Sequence, residues 1–291
     1  MMVHLLISSF SRKGKGREST EVILEKFGDL GVEVTLIEGE TLTDIDVKLR
    51  DLVSNGIERI VVAGGDGMIH SAIQAVAQSE TILGFIPIGT GNDFCRSLGY
   101  PMDIAQAIER SLGDDYLTDL LRINGRWAAS VVTFGFSGDV NTKAEALKWP
   151  NGPSRYTLAT LAVLPSLKSQ VVELVIDDVP VSLNLCLSNI ANTSDFGGGM
   201  KIAPSANAFD GIADMTFVSK ISRLELLRFF RKVFSGSHMD HPKVIGMRGK
   251  RIEIISSGID LWADGELIGC SPTVVELVPK AIRLAGSKGN L

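Results

Sequence analysis

Short apolar runs alternate with amphipathic stretches from residue 3 to about residue 112. The runs HLLIS, VEVTLI, RIVVA and ILGFIP are separated by STEVILEKF, VKLRDLV and IHSAIQAVAQ, which carry apolar residues at helical spacing. Strands that follow one another through helices are typical of a parallel sheet, because parallel neighbours need a long crossover connection. The sequence therefore predicts an α/β domain over residues 1–118.

The pattern changes after residue 115. Longer alternating runs such as RWAASVVTFGF, VPVSLNLCLSNI and GIADMTFVSK are joined there by turns of Gly, Asn and Asp, which is typical of antiparallel sheet. We expect a β-rich second domain over residues 119–280, with helical insertions at about 139 to 168 and 222 to 235. The last run, AIRLAG within residues 281–291, is expected to return to the first domain as a strand.

The amino-acid composition and net charge of the chain exclude some classes of function. The chain has 291 residues, a hydrophobic fraction of 45% and a charged fraction of 22%, which describe a folded globular protein. Its net charge of -5 argues against a general nucleic-acid binder. Three widely separated cysteines favour reduced thiols over a disulfide framework. Since no basic leader precedes the first apolar run and no apolar stretch reaches spanning length, we expect a cytoplasmic protein.

Two glycine-rich loops carry acids directly after predicted strands. The first is GGDG, with Gly64, Gly65, Asp66 and Gly67, and the second is GTGNDF, which contains Thr90, Gly91, Asn92 and Asp93. Glycine lets main-chain N–H groups approach an anion closely. An acid among them would repel a bare phosphate, so its presence predicts a divalent cation between carboxylate and phosphate, as in a nucleotide with Mg²⁺.

A structural alternative accompanies each motif. On its own, GGDG is equally well explained as a tight loop whose Asp caps the following helix. The second loop favours the nucleotide, because loops at the carboxyl ends of neighbouring strands converge on one crevice. A third motif, LWADGELIG, places Asp264 and Gly265 in a predicted hairpin turn flanked by Glu266. Judged locally, that motif is a plain hairpin.

Together these motifs resemble the soluble bacterial lipid kinases related to diacylglycerol kinase and sphingosine kinase. The resemblance rests on GGDGM, GTGNDF, SNIANTSDFGGGMKIAPSANAFDG and DGE, in the family's order across nearly the whole chain. GGDG alone is shared with NAD kinases. The resemblance implies an α/β nucleotide-binding domain of the NAD kinase and diacylglycerol kinase type and a C-terminal β-sandwich domain, with an active site in the interdomain cleft where ATP meets a lipid hydroxyl.

The resemblance also assigns roles to matching residues. Gly64 to Gly67 and Met68 would line the triphosphate, with Asp66 acting through Mg²⁺, and Thr90 to Asp93 would form the other wall. Glu266 matches the general base, which together with Asp66 makes up the predicted catalytic pair. APSANAFDG matches a structural metal loop, which would use the side chain of Asp210 and the carbonyl groups of Asn207 and Ile212. Asp119 resembles an acid that supports this loop.

Two departures from the family pattern concern the nucleotide. Met68 replaces the usual threonine, and losing one hydrogen bond there would cost roughly 0.5 to 1.5 kcal/mol. That loss would weaken nucleotide binding by about tenfold, with Thr90 available to compensate. The first-strand loop SSFSRKGKG lacks the family's Asn-Pro but retains Ser8, Ser9 and Lys13 for phosphate contact.

The leading interpretation is an ATP- and Mg²⁺-dependent lipid kinase that converts diacylglycerol to phosphatidic acid. The alternatives are an NAD kinase-like phosphotransferase and a catalytically weak nucleotide- or lipid-binding regulator. Such a kinase would meet its lipid at the inner face of the membrane as a peripheral protein. The oligomeric state is left open, with a homodimer among the alternatives.

The stretch SRLELLRFFRKVFSG could provide this membrane contact. Leu224, Leu227, Phe230, Val233 and Phe234 can share one helical face, with four basic residues elsewhere on the helix. The alternative is a helix that packs on its own sheet and leaves a solvated basic face.

Overall fold

The computed structural model describes residues 1–7, 15–39, 41–147 and 153–286. Ser8, Ser9 and Lys13, which we expect near the phosphates, lie outside these residues. The chain forms two compact units, one containing Met1–Thr118 together with the segment from Lys280, the other Asp119–Pro279. Among the described residues, no helix combines the length and apolar character needed to cross a membrane.

The first unit is built on a parallel sheet with helical crossovers. Its strands run in the order β2-β1-β3-β4, and all neighbouring pairs are parallel. The end of a long later strand, β17 (Thr273–Ala285), returns parallel to β4, where Arg283 pairs with Ile82. The elements are β1 (Met2–Ile7), α1 (Lys15–Asp29), β2 (Glu33–Ile37), α2 (Leu42–Ser54), β3 (Arg59–Gly64), α3 (Asp66–Val76), β4 (Ile82–Pro87), α4 (Asp93–Ser97) and α5 (Ile104–Leu112).

Burial explains the sequence pattern of this unit. Strands β1 and β3 are buried almost along their whole length, because helices cover both faces of a parallel sheet. Val3 and Leu5 of β1 share a core with Phe27 of α1 and Ile108 of α5. The N-caps follow the expected chemistry, since the side chain of Thr41 accepts a hydrogen bond from the N–H of Asp44 at 3.1 Å.

The second unit is mainly antiparallel sheet. Its strands run in the order β16-β15-β7-β9-β8-β14-β17, and β12 pairs with both β9 and β13. The elements are β5 (Asp115–Ile123), β6 (Arg126–Ala128), β7 (Val131–Gly135), α6 (Phe136–Ala146), α7 (Pro153–Val163), β8 (Gln170–Ile176), β9 (Val179–Ala191), β10 (Asp195–Phe196), β11 (Met200–Lys201), β12 (Ala213–Ser219), α8 (Arg223–Val233), β13 (Val244–Gly249), β14 (Arg251–Ile254), β15 (Asp260–Ala263) and β16 (Glu266–Cys270).

The structure corrects one residue of the outward apolar face that the sequence predicted for helix α8. The residues that α8 buries are Leu226, Phe229 and Val233, which pack with Phe136 of α6 in one core cluster. Val233 therefore belongs to the inner face and not to an outer one. The spacing of three and four residues among the inner positions sets this face. The helix begins with a full capping box, in which Ser222 and Glu225 exchange hydrogen bonds.

Candidate active site

The two glycine-rich loops line one groove in the first unit. They follow β3 and β4, which are neighbours in the sheet with Gly64 opposite Pro87. Since parallel strands end at the same edge, their loops meet there. The groove has a volume of about 430 Å³ and is lined by Gly64, Gly65, Asp66, Gly67, Met68, Ile88, Gly89, Thr90 and Gly91.

The close approach of the two loops requires glycine at two positions. A Cβ atom built on Gly89 would lie 2.5 Å from the Cα atom of Gly65, and one built on Gly65 would lie 3.1 Å from the Cα of Gly89. The two main chains are therefore in contact, and any side chain here would push them apart. Gly89 was not among the residues singled out from the sequence, although it belongs to the same GTG motif.

Asp66 joins the two loops through main-chain hydrogen bonds. Its carboxylate accepts the N–H of Asn92 at 2.7 Å and the N–H of Asp93 at 2.8 Å. Asn92 is the N-cap residue of α4, in the left-handed conformation with φ of 55°. Asp66 therefore does cap a helix, as the structural alternative proposed, but the helix is α4 and not the one that follows it in sequence.

The groove retains the features that an anion needs. Helix α3 begins with Gly65 as its N-cap and no side-chain cap, so its main-chain N–H groups can meet an anion, while Asp66 in its first turn carries a negative charge that suits a cation beside that anion. Asp66 and Asp93 are both partly exposed. The side-chain oxygen of Asn92 is buried and has no hydrogen-bond partner within the described residues. Met68 packs its thioether beside Gly64, on the groove wall.

The negative charge of Asp66 affects the pKa of the nearby Cys95 thiol. Burial raises the pKa of Cys95 well above its usual range, and the negative charge of Asp66 raises that pKa further. Cys95 is fully buried in α4 and is held in its protonated form at neutral pH. It is therefore an inert core residue.

In the second unit, the DGE motif is a hairpin whose first acid has a structural role. Asp264 and Gly265 form the two-residue turn between β15 and β16, with φ of 49° and 90°. The Asp264 carboxylate accepts three main-chain N–H groups, from Ala129 at 2.6 Å, Ser130 at 2.9 Å and Val131 at 3.1 Å. It thereby fixes the start of β7.

Glu266 differs from Asp264 in its surroundings. It is the first residue of β16, its side chain is exposed, and it makes no hydrogen bond or ion pair within the described part of the chain. A carboxylate in this state keeps its lone pairs available for a substrate proton. Within this hairpin, Asp264 is bonded to the main chain, whereas Glu266, two residues later, is exposed.

The predicted metal loop is closed by hydrogen bonds of its own. The N–H of Ile212 donates to Asp210 Oδ1 at 3.1 Å, and the N–H of Gly211 donates to Asp119 Oδ2 at 2.8 Å. Asp119 therefore contacts this loop, as the resemblance implied. The other oxygen of Asp210 accepts from the guanidinium of Arg248. Within the described ranges, no group of three His, Cys, Asp or Glu side chains is arranged to hold a metal ion.

This donor set does not fit a resident cation as it stands. One oxygen of the Asp210 carboxylate accepts from the guanidinium of Arg248, whose positive charge would repel a metal ion there. No local sequence pattern points to Arg248, because it lies far along the chain from the loop and meets it only through strand pairing.

Comparison with known proteins identifies the family. Residues 2–122 match the diacylglycerol kinase catalytic domain, and residues 130–286 match the YegS C-terminal NAD kinase beta sandwich-like domain. A diacylglycerol kinase of Mycobacterium tuberculosis (strain ATCC 25618 / H37Rv) is 33% identical over 290 residues, covering 97% of this chain and 94% of the relative. The chain belongs to the diacylglycerol kinase family.

Further members of the diacylglycerol kinase family agree with this assignment. A diacylglycerol kinase of Bacillus subtilis (strain 168) is 29% identical over 259 residues, covering 86% of this chain and 84% of the relative. The crystal structure of a putative diacylglycerol kinase from Bacillus anthracis str. Sterne superposes with a TM-score of 0.80, covering 98% of this chain and 97% of that one at 20% identity. The latter likeness concerns the fold.

The family and the fold class predicted from the motifs are confirmed. An α/β catalytic domain precedes a domain of the β-sandwich-like type, and the prediction of an ATP-dependent lipid kinase is confirmed at the level of the family. The structure gathers the residues predicted from GGDG and GTGND around one groove. Their roles in binding and catalysis, and those of Glu266 and the metal loop, stay predictions.

Substitution of the two acids of the hairpin should have different effects on the stability of the protein. We expect Asp264→Ala to lower the free energy of unfolding by about 2 to 4 kcal/mol, because three buried or partly buried N–H groups lose a charged acceptor. Glu266→Ala is the matched control and should change it by less than about 0.5 kcal/mol, since its side chain is exposed. Urea unfolding followed by circular dichroism measures both. Equal effects would show that Asp264 does not hold β7.

Proposed function

We propose that this family member transfers the γ-phosphoryl group of ATP to the free hydroxyl of diacylglycerol, giving phosphatidic acid and ADP. The groove formed by the two glycine-rich loops is the observation that carries the proposal, because it pairs an open helix N-terminus with main chain that an anion can approach. Relatives named diacylglycerol kinase, up to 33% identical to this chain over nearly its full length, support the choice of substrate.

The nucleotide phosphates are assigned to the groove of the first unit. Gly65 and Gly67 offer main chain without side-chain obstruction at the start of α3, and Thr90 offers a hydroxyl from the other loop. Asp66 keeps the two walls at a fixed separation by holding Asn92 and Asp93. Mg²⁺ would neutralise charge on the phosphates, and the partly exposed carboxylates of Asp66 and Asp93 suit it, since Mg²⁺ binds through one or two carboxylates plus phosphate oxygens.

Glu266 is assigned the proton of the acceptor hydroxyl. As this proton moves to the carboxylate, the hydroxyl oxygen forms a bond to the γ-phosphorus and the bond to the ADP oxygen breaks. The exposed, unpaired state of Glu266 suits this role, because a base already bonded to main-chain N–H groups would be a weaker acceptor.

An apolar cavity supports a lipid over NAD as the acceptor. It lies in the second unit, has a volume of about 60 Å³, and is walled by α6, α8 and the strands beneath them. Its lining is mainly apolar and includes Phe136, Val140, Leu187, Phe229 and Phe230. Such a lining suits part of an acyl chain and offers little to the ribose and phosphate groups of NAD.

Contact with an anionic membrane surface is the proposed route to that lipid. Helix α8 exposes Leu224 and Leu227 beside Arg228 and Arg231, on the side opposite its packed face. Leu158 and Leu161 of α7 are likewise exposed, and the ends of the two helices are joined where Arg223 donates to the carbonyl of Pro165 at 2.6 Å. Exposed leucines bordered by basic residues suit the interface of an anionic bilayer. A homodimer stays a prediction that light scattering would test.

The proposed reaction is tested with purified protein, labelled ATP, Mg²⁺ and mixed micelles containing diacylglycerol. We expect labelled phosphatidic acid, and we expect Glu266→Gln to lower kcat by at least about 100-fold, because general base catalysis is lost. Glu173→Gln, which alters another exposed glutamate of the same unit, should retain full activity. Phosphorylation of NAD with no lipid product would refute the proposed substrate, and an active Glu266→Gln would refute the base.

Met68 provides a test of the groove itself. Met68→Thr should lower the KM for ATP by up to about tenfold with little change in kcat, because the new hydroxyl can bond a phosphate oxygen. Met68→Leu keeps the volume without adding a polar atom and should leave KM unchanged. Initial rates over a range of ATP concentrations separate the two. If threonine and leucine have the same effect, position 68 does not contact the phosphates.

Membrane contact is tested by sedimentation with vesicles of phosphatidylcholine, with or without phosphatidylglycerol. We expect binding that needs the anionic lipid, and we expect the double variant Leu224→Glu, Leu227→Glu to reduce it by at least about tenfold through lost apolar contact and added negative charge. Val171→Glu with Val179→Glu, also exposed apolar residues, is the control. Equal losses in both double variants would contradict a surface on α8.

A further inference from the structure

We propose that the guanidinium of Arg248 replaces a structural metal ion in this chain, holding the 207–212 loop by bridging Asp210 and Asp214. The loop is then fixed by protein atoms alone. A divalent cation is needed only with the nucleotide. This inference concerns folding of the second unit and stands apart from the proposed reaction.

Strand pairing places Arg248 beside the carboxylates of Asp210 and Asp214, where a structural cation would bind. Arg248 lies on β13 directly opposite Asp214 on β12, and the loop immediately precedes β12. Its Nε donates to Asp214 Oδ2 at 3.2 Å, and its Nη2 donates to Asp210 Oδ2. One guanidinium therefore ties the loop to the sheet, because its planar fork directs two donors to separate carboxylates.

Three further carboxylate oxygens at the loop also accept hydrogen bonds from protein donors. The second oxygen of Asp214, a residue only 5% exposed, accepts from the hydroxyl of Ser205 at 2.6 Å. Asp210 Oδ1 and Asp119 Oδ2 accept the main-chain N–H groups of Ile212 and Gly211. A hard cation binds through several oxygens at once, so it would have to displace the guanidinium and share the other oxygens with these donors.

The positive charge of Arg248 is stabilised by the two carboxylates that it bridges. The hydrogen bond to Asp210 and the negative charge of Asp214 raise the pKa of Arg248, so the guanidinium stays charged at any pH at which the protein is folded. A metal ion at the same carboxylates would face this fixed positive charge a few ångströms away. Arginine and metal are therefore alternatives at this loop.

The test measures the melting temperature of the full chain in chelating buffer and again after addition of MgCl₂ or CaCl₂, without nucleotide. We expect the unaltered protein to shift by less than about 1 °C and to retain well under one equivalent of metal after dialysis. Arg248→Met should melt lower by about 4 °C or more, because the almost fully buried carboxylate of Asp214 loses its charged partner. Added MgCl₂ or CaCl₂ should restore part of that loss, since the vacated carboxylates become available to a cation.

Arg251→Met is the matched control. Arg251 lies three positions further on and makes exposed ion pairs with Glu253 and Glu276, away from the loop. We expect it to melt within about 2 °C of the unaltered protein, with no response to metal. Arg248→Lys keeps the charge but not the fork, so it should melt between the methionine variant and the unaltered protein.

The proposal is overturned if the unaltered protein melts lower in chelator and recovers with MgCl₂, or if it keeps one tightly bound equivalent of metal. It is also overturned if Arg248→Met behaves as Arg251→Met does. Should Arg248→Met not fold, the measurements on the unaltered protein and on Arg248→Lys still decide. None of these readouts uses kinase activity, so failure of the proposed reaction would be seen separately.

Discussion

The groove between the two glycine-rich loops depends on one carboxylate that holds two main-chain N–H groups. Asp66 accepts from Asn92 and Asp93, and hydrogen bonds to a charged acceptor contribute about 1.5 to 3 kcal/mol each. The contact between Gly65 and Gly89 sets how close the loops come, and the Asp66 bonds keep them there. Both walls are thus positioned before any ligand arrives, so binding energy need not be spent on ordering them.

These hydrogen bonds give Asp66, the acid in GGDG, a structural role in addition to the predicted role in metal binding. From the sequence, the carboxylate of Asp66 has two interpretations, a divalent ion between it and a phosphate or a cap on the following helix. The structure supplies another balance for its charge, since two N–H groups and the start of α4 already face Asp66. Each carboxylate oxygen has two lone pairs, so Asp66 can hold the loop and still face a cation. Folding and metal binding are then compatible roles of one side chain.

The sequence predicted the elements well where a local pattern sets them, and poorly where distant residues do. Strand-helix alternation places the loops after β3 and β4, and the DG pair marks the turn at Asp264, because period and turn chemistry are local properties. The inner face of α8 was predicted wrongly at Val233, since a helix with apolar residues on two sides does not reveal which side meets the sheet. Arg248 was missed because only strand register brings it to Asp210.

The acids of the second unit suggest a criterion for separating structural from chemical roles in this family. Asp264, Asp210 and Asp119 each accept main-chain N–H groups, so each carboxylate is committed to a local fold. Glu266 is exposed and makes no such bond within the described residues. Bonds to main chain occupy lone pairs of a carboxylate and restrict its orientation. Exposure alone does not select a base, because Glu173 is exposed as well. What distinguishes Glu266 is its place beside Asp264 in a hairpin that main-chain hydrogen bonds hold in one conformation.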